Sequence, residues 1–408
     1  MSITREEELA LLDPASYHKH GHPWQIWEKL RRDDPIHYIE RQDGGSYWVV
    51  TRYQDIVSIE GNPSVFKNGP RSTIGEGAQG GLRMVVHMDP PDHTAHRALA
   101  MPYFLPRNIE WVKRYAEEIV TEAFDRAMKR NGEIMDLQDD VANLAPTAVI
   151  SAVLGAPREM WPKIIEWTHQ IINANDPRVA KDQAVRQVTG QAVSQMCQYY
   201  AGIFEDRKKN PRDDLPTALV NARINGAPMG QNELFSWAII LMTAGHETTQ
   251  GTFGLGVHAL LQHPDQLAKL KSNPELLPRA IDELLRYVSP AIHFVRTPDR
   301  DVEMSGKKIR AGEHLVMFYP SANRDAEVFK DPQRLDIERS PNRHLAFGTG
   351  PHICLGMHLA RLELRVMFEQ FLQRVEKIEI AGEPERVFSL AVAGYKHFPV
   401  RMTVRPKA

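Results

Sequence analysis

The sequence predicts a mainly helical fold with a smaller, separate β portion (an α+β chain). Three observations carry this. From about Asn108 to Arg286, alanine, leucine, glutamate, lysine and arginine are abundant, and Pro211, Pro216, Pro264 and Pro274 punctuate the run. Within it, Asn232 to His263 is largely apolar and reads as one long helix. Short β-rich runs lie outside that region, paired around turn-forming residues.

In chain order, Ile36–Ile39 and Ser46–Val50 flank Asp43-Gly44-Gly45 and predict a β-hairpin. Lys67 to Arg83, rich in glycine and polar residues, predicts a long loop of the kind that gates sites. A second hairpin pairs Val302–Met304 with Lys308–Ile309 around Ser305-Gly306, and Glu313–Phe318 is the next strand. After Cys354, the apolar residues Leu355, Leu359, Leu362 and Val366 recur at helical spacing.

The 408 residues are 42% hydrophobic and 25% charged, an ordinary globular balance. A net charge of −2 gives no electrostatic case for nucleic acid. Met1 to Leu11 lacks the apolar run of a signal peptide. Trp237 to Ala244, the most apolar internal stretch, is too short to cross a bilayer. The two cysteines, Cys197 and Cys354, exclude a disulfide scaffold and fit a reducing compartment. A soluble, cytoplasmic protein is expected. Cys197, beside Met196 and Tyr199, reads as a helical core position.

The run Phe347-Gly348-Thr349-Gly350-Pro351-His352-Ile353-Cys354-Leu355-Gly356 makes a tight loop that feeds a helix. Cys354 is thereby placed at or near a helix N-terminus, where amide donors and the helix dipole favour a thiolate. A thiolate is the form that ligates metal, and on haem iron it pushes electron density toward bound oxygen. Gly356, without a side chain, would let backbone lie close to a flat macrocycle. A lone cysteine is more often a small buried hydrophobe; the ten-residue pattern favours the ligand instead. Phe-Gly-x-Gly-x-His-x-Cys-x-Gly resembles the haem-binding signature of the cytochrome P-450 family. The resemblance implies that Cys354 is the axial iron ligand, that His352 contacts a haem propionate, and that Phe347 and Gly356 belong to the same cofactor-binding loop. The implied cofactor is heme b, iron protoporphyrin IX, and the implied organisation is a single domain over residues 1–408 with no fused reductase.

Glu283 and Arg286, three apart, share a helix face. A surface ion pair would be worth little. In their order and context they resemble the family's buried pair behind the haem, completed by a later arginine, here Arg334 or Arg339. Deleting a partner of such a buried charge costs roughly 3–5 kcal/mol.

Ala244-Gly245-His246-Glu247-Thr248-Thr249 interrupts the apolar long helix. The small residues allow close approach of a ligand, and Thr248 can return its hydroxyl to the Ala244 carbonyl, which bends helices and would widen the turn. Splitting O₂ consumes two protons, which a carboxylate and a hydroxyl can deliver. Glu247 and Thr248 match the family's acid–alcohol pair. His246-Glu247 also begins a zinc-protease motif, but Gln250 stands where its second histidine is required.

Asp89 to Arg97 resembles the family segment opening a helix beneath the haem edge. His93 and Arg97 share a face there, and Arg296 fits a third propionate contact. The resemblance runs in order from Asp89 to the C-terminus, including Ser321–Asp325 and Phe329–Pro332. It implies a monooxygenase that inserts one atom of O₂ into an apolar terpenoid, steroid, lipophilic or aromatic molecule. Electrons are expected from a ferredoxin and ferredoxin reductase, with NAD(P)H as ultimate donor, because no Gly-x-Gly-x-x-Gly turn follows a strand. Arg343, His358 and Arg361 offer positive charge for docking on the Cys354 side. An H₂O₂-driven peroxygenase and a non-catalytic haem-binding protein are the alternatives. Both fit less well with an intact Glu247–Thr248 pair. The expected pocket combines the Lys67–Val86 loop, Ile240, Leu241 and Ala244, Ile292 to Val295 with His293 as a polar anchor, and the tip Leu390 to Gly394 around Val392.

Overall fold

In the computed structural model, residues 3–41, 45–69, 71–74, 84–173 and 183–407 are described. The helices are α1 (Arg5–Ala10), α2 (Pro14–His20), α3 (Trp24–Asp33), α4 (Tyr53–Glu60), α5 (Asp92–Ala100), α6 (Pro106–Lys129), α7 (Leu144–Val153), α8 (Trp161–Asn173), α9 (Gln183–Lys209), α10 (Leu215–Asn221), α11 (Gln231–Gln262), α12 (Pro264–Ser272), α13 (Leu277–Val288), α14 (Tyr319–Ala322) and α15 (Met357–Arg374). Helix α11 lies within one residue of the span expected at each end.

Local sequence sets many of the boundaries. Thr4 and Glu7 form a reciprocal capping box on α1, and Asp13 and Asp214 cap α2 and α10. Prolines open α2, α6 and α12, where a missing N–H costs nothing. Ser289, at φ 45°, ends α13 in the left-handed region.

The main sheet has the order β1-β2-β10-β7-β3, built from Ile36–Ile39, Tyr47–Val50, Leu315–Phe318, His293–Pro298 and Phe66–Lys67. The first hairpin pairs Ile36 with Val50 through Ile39 with Tyr47, while residues 42–44 of its turn lie outside the described set. Only the β10–β2 pairing in this sheet is parallel. The second hairpin, β8 (Val302–Met304) with β9 (Lys307–Ile309), turns through Ser305 and Gly306, both at positive φ, as a type I′ turn requires. A third sheet, order β11-β14-β4, joins Val375–Ile380 and Pro399–Val404 to Ile134–Asp136. Strand β4 and the pair β5 (Arg223–Ile224) and β6 (Ala227–Pro228) interrupt the stretch that reads as helical in sequence. Near the C-terminus, β12 (Glu385–Arg386) pairs with β13 (Tyr395–His397).

Helix α11 crosses the largest buried cluster, with Trp237, Met242, Phe253, Val257 and Leu260 all inside it. Its second half approaches neighbouring backbone closely. A β-carbon on Gly251 would stand 2.6 Å from the carbonyl oxygen of Ala393, so any larger residue would push the 390–394 tip away. Cys197 is half-buried on α9, and burial pushes its thiol pKa up, as befits an inert packing residue.

Candidate active site

Four pieces of chain meet around one cavity of about 240 Å³: the middle of α11, helix α5, strand β7, and the cysteine loop with the start of α15. Gly348 and Gly350 give the loop its shape, at φ 66° and 67°. At Gly350 a side chain is excluded twice over, because a β-carbon would also collide with the carbonyl of Glu60. The amide of Cys354 donates to the carbonyl of Phe347 at 2.8 Å and closes the loop.

Cys354 stands two residues before Gly356, the N-cap of α15, and its open surface faces the cavity. Burial pushes its thiol pKa up; the Gly356 amide, Arg97 and Arg361 act in the opposite direction without prevailing. A metal cation bound to the sulfur would favour the thiolate further.

One edge of the cavity is cationic. His93 and His352 stack with ring centroids 3.7 Å apart and planes 25° from parallel. Burial and the nearby Arg97 and Arg296 lower their pKa values to about 4 and about 2. Arg97 also donates to the carbonyl of Ile353. Arg296 is bound to its own strand and to Glu60: one nitrogen donates to Val295 O at 3.0 Å and another to Glu60 Oε1 at 3.1 Å. Glu60 further accepts from the Tyr319 hydroxyl at 2.7 Å and the Thr349 amide at 2.9 Å. Burial still raises its pKa.

These residues fit the haem implied by the sequence. His93 Nδ1 and His352 Nε2 are buried without a hydrogen-bond partner among the described residues, at the edge where two propionates would lie. A β-carbon on Gly356 would meet nothing within 4 Å, so the room beside it serves no other part of the chain. Phe347, Leu355 and Leu359 add apolar surface to the cavity wall.

On α11, Ala244 and Thr248 face the cavity, and Thr248 Oγ1 donates to Ala244 O at 3.3 Å. The helix is nevertheless continuous here, without the widened turn expected from that back-bond. Gly245 serves packing as well, since a β-carbon there would stand 3.3 Å from Ile150. Glu247 lies behind the wall, not on it. Burial raises its carboxyl pKa to about 7.

Ile240, Leu241 and Ala244 line the cavity as expected, as do Asn68, Val85 and Val86 at the ends of the 67–86 loop. Residues 70 and 75–83 of that loop lie outside the described set. Ile292, His293, Val295 and Val392 do not line it; Phe294 does. For His293 and Val295 the reason is strand alternation along β7; Ile292 lies before that strand and Val392 on the 390–394 tip. Phe294 and Arg296 point to the cavity, whereas Ile292 and Val295 pack with Trp27 and Phe318. His293 is no substrate anchor: its Nδ1 donates to Leu390 O at 2.8 Å and its Nε2 accepts from Ile74 N at 2.9 Å.

Behind the cysteine loop, Arg286 meets Glu283 through two parallel bonds of 2.7 and 2.8 Å, both residues fully buried. Arg339, not Arg334, is the further arginine, with Nε 3.0 Å from Glu283 Oε2. Arg334 contributes only its carbonyl, to Arg286. The Asp336 amide and Asn342 side chain also donate to Glu283.

Among the wall residues without a signal in the sequence are two acids, Glu60 and Glu363. Glu363, on α15, is fully enclosed; burial lifts its pKa well above the ordinary value, and its Oε2 has no partner. On the outer side, Arg343 is exposed, while Arg361 is engaged with Asp282 at 2.8 Å and stacks over Phe347.

The chain matches the family described as Cytochrome P450 over residues 15–384. It is 32% identical to cytochrome P450-terp of Pseudomonas sp., covering 92% of each chain. It is also 32% identical to linalool 8-monooxygenase of Pseudomonas putida, covering 93% of this chain and 95% of that one. The crystal structure of CYP108D1 from Novosphingobium aromaticivorans superposes with a TM-score of 0.88 at 34% identity, over 99% of both chains.

Proposed function

The chain belongs to the cytochrome P450 family of haem-binding monooxygenases, and from that premise we propose that it oxidises an apolar small molecule of the terpenoid or similar lipophilic class. The observation that carries the reading is the placement of the Cys354 thiol and a cationic edge on a cavity whose opposite lining is aliphatic and aromatic. Similarity to linalool 8-monooxygenase supports the terpenoid class.

Bound in this cavity as heme b, the cofactor supplies the reduction and splitting of O₂ that puts one oxygen atom into substrate and releases the other as water. The chain's residues do the rest. Cys354 Sγ would hold the iron. His352, His93, Arg97 and Arg296 would hold the two propionates by charge and hydrogen bonds. Trp237, Ile240, Leu241 and Phe294 orient the substrate and exclude water. Glu247 stores a proton behind the wall at near-neutral pH, and Thr248 presents its hydroxyl at the wall. Glu283, Arg286 and Arg339 fix the segment that leads into the cysteine loop.

Electrons come from a separate ferredoxin and its reductase, with NAD(P)H as donor. The docking face is the Arg343–His358 side, with Arg361 partly committed to Asp282. Raising the salt concentration should slow electron transfer; a rate indifferent to salt would rule out this electrostatic face.

The first test is the absorption spectrum of the reduced protein under carbon monoxide, beside Cys354→Ala. A strongly red-shifted Soret band in the wild type alone establishes thiolate-bound haem; a spectrum indifferent to Cys354 overturns the ligand assignment. Turnover of terpenoid substrates with ferredoxin, reductase and NAD(P)H is expected. Turnover with H₂O₂ alone would replace this reading with a peroxygenase.

A further inference from the structure

A second cavity, of about 470 Å³, lies further along the long helix, beyond the haem site. Its walls come from the α2–α3 junction, the last turns of α11, the end of α13, and the segment from Arg386 to Tyr395. Neither aspartate nor glutamate lines it. Two arginines do, and neither makes an ion pair among the described residues.

Arg324 is 5% exposed and held between the faces of Trp24 and Tyr287, each ring centroid 4.2 Å from its guanidinium carbon. It donates to Gln333 Oε1 and Tyr287 O, while its Nε is buried without a partner. Ring faces and carbonyls account for part of this cation's stability. They do not account for Arg386 on the same cavity, whose side chain makes no hydrogen bond or ion pair among the described residues. Two histidines on the wall register the excess positive charge. His22 is kept neutral, its pKa lowered to about 4, by burial and then by Arg324 and Arg386. The pKa of His258 is lowered by burial and by Arg386.

Guanidinium groups on a partly desolvated wall, with no carboxylate on that wall among the described residues, favour an anion from outside. The wall also carries aliphatic side chains, Leu255, Val288, Val387 and Val392, among neutral polar ones such as Gln262 and Ser389. We propose that this cavity binds an amphipathic monocarboxylate, its carboxylate between Arg324 and Arg386 and its hydrocarbon tail against those aliphatic side chains. The site is separate from the haem cavity: Arg324 and Arg386 line the second cavity and not the first.

The test is calorimetric titration of the holoprotein with octanoate, and with neutral octanamide as the matched control. 4-Phenylimidazole is held saturating, its Soret shift reporting that the haem cavity is filled. Octanoate should bind one-to-one under these conditions, with octanamide weaker by about tenfold or more. Arg386→Gln should weaken octanoate by a similar factor while its 4-phenylimidazole titration stays as in wild type, which shows the fold intact. The proposal is overturned by absence of octanoate binding, by equal affinity for octanamide, by competition from 4-phenylimidazole, or by an Arg386→Gln protein that binds octanoate as wild type does.

Discussion

Glu60 and Arg296 form a buried ion pair, 3.1 Å from nitrogen to oxygen, that joins the end of α4 to the haem-facing side of β7. The same carboxylate holds the cysteine loop through the Thr349 amide. Glu60→Ala should therefore destabilise the protein by about 3–5 kcal/mol, because Arg296 is left buried and unpaired. Glu60→Gln should cost less, about 2 kcal/mol, since an amide oxygen still accepts from one side while its NH₂ opposes a donor on the other. Urea unfolding of the two variants measures both, and equal losses would show that the charge is immaterial.

Glu283 accepts from Arg286, Arg339, Asn342 and the Asp336 amide at once. Glu283→Ala removes every one of these acceptors, and a loss of about 3–5 kcal/mol is expected. Arg339→Ala breaks one arm of the cluster, at a site 9% exposed, and should cost less. Chemical denaturation ranks the two.

Glu247 has a carboxyl pKa raised to about 7, with burial as the cause. Below that pH it is protonated and can give a proton; above it the proton is gone. Product formation should fall as pH rises through 7, and Glu247→Gln should lower turnover by about 10²–10⁴ and flatten that pH dependence. Stability falls with rising pH as well. An acid with a raised pKa destabilises the fold increasingly from pH 4.5 up to its folded pKa, so Glu247→Gln should be no less stable than wild type at pH 8. Product per NAD(P)H consumed, read beside thermal unfolding, separates the two effects.

Glu363 is held protonated by burial far above the ordinary carboxyl range. The unfolded chain loses that proton near pH 4.5 and the folded chain keeps it, so wild-type stability declines as pH rises above 4.5. Glu363→Gln keeps the shape and removes the titration. It should be more stable than wild type at pH 8, by about 1 kcal/mol or more, and equal to it at pH 4. A difference that persists at pH 4 would assign the effect to packing instead.

The residues legible in the sequence are those whose meaning is local. The cysteine loop, the Glu283–Arg286 pair and the Ala244–Thr249 run are each short local segments; the structure puts Cys354, Ala244 and Thr248 on the cavity and pairs Glu283 with Arg286, while Glu247 stays off the wall. Strand alternation is equally legible: with Arg296 facing the cavity, Phe294 must face it too, while His293 and Val295 must not. Glu60 was illegible for a different reason. Its partners Arg296 and Thr349 lie 236 and 289 residues away, and nothing near it in sequence distinguishes it from a surface acid at a helix end. The same holds for the choice between Arg334 and Arg339, which depends on how an irregular segment folds back on α13.

That separation between Glu60 and Thr349 has a consequence for how the protein is made. At roughly 5–20 residues per second, synthesis of the intervening chain takes on the order of 15–60 s. Throughout that interval the carboxylate that will anchor the cysteine loop has no loop to anchor, although Arg296 and Tyr319 are made before it. The pocket that receives the prosthetic group is completed by residues 346–364, so cofactor capture must wait for that late segment to be made.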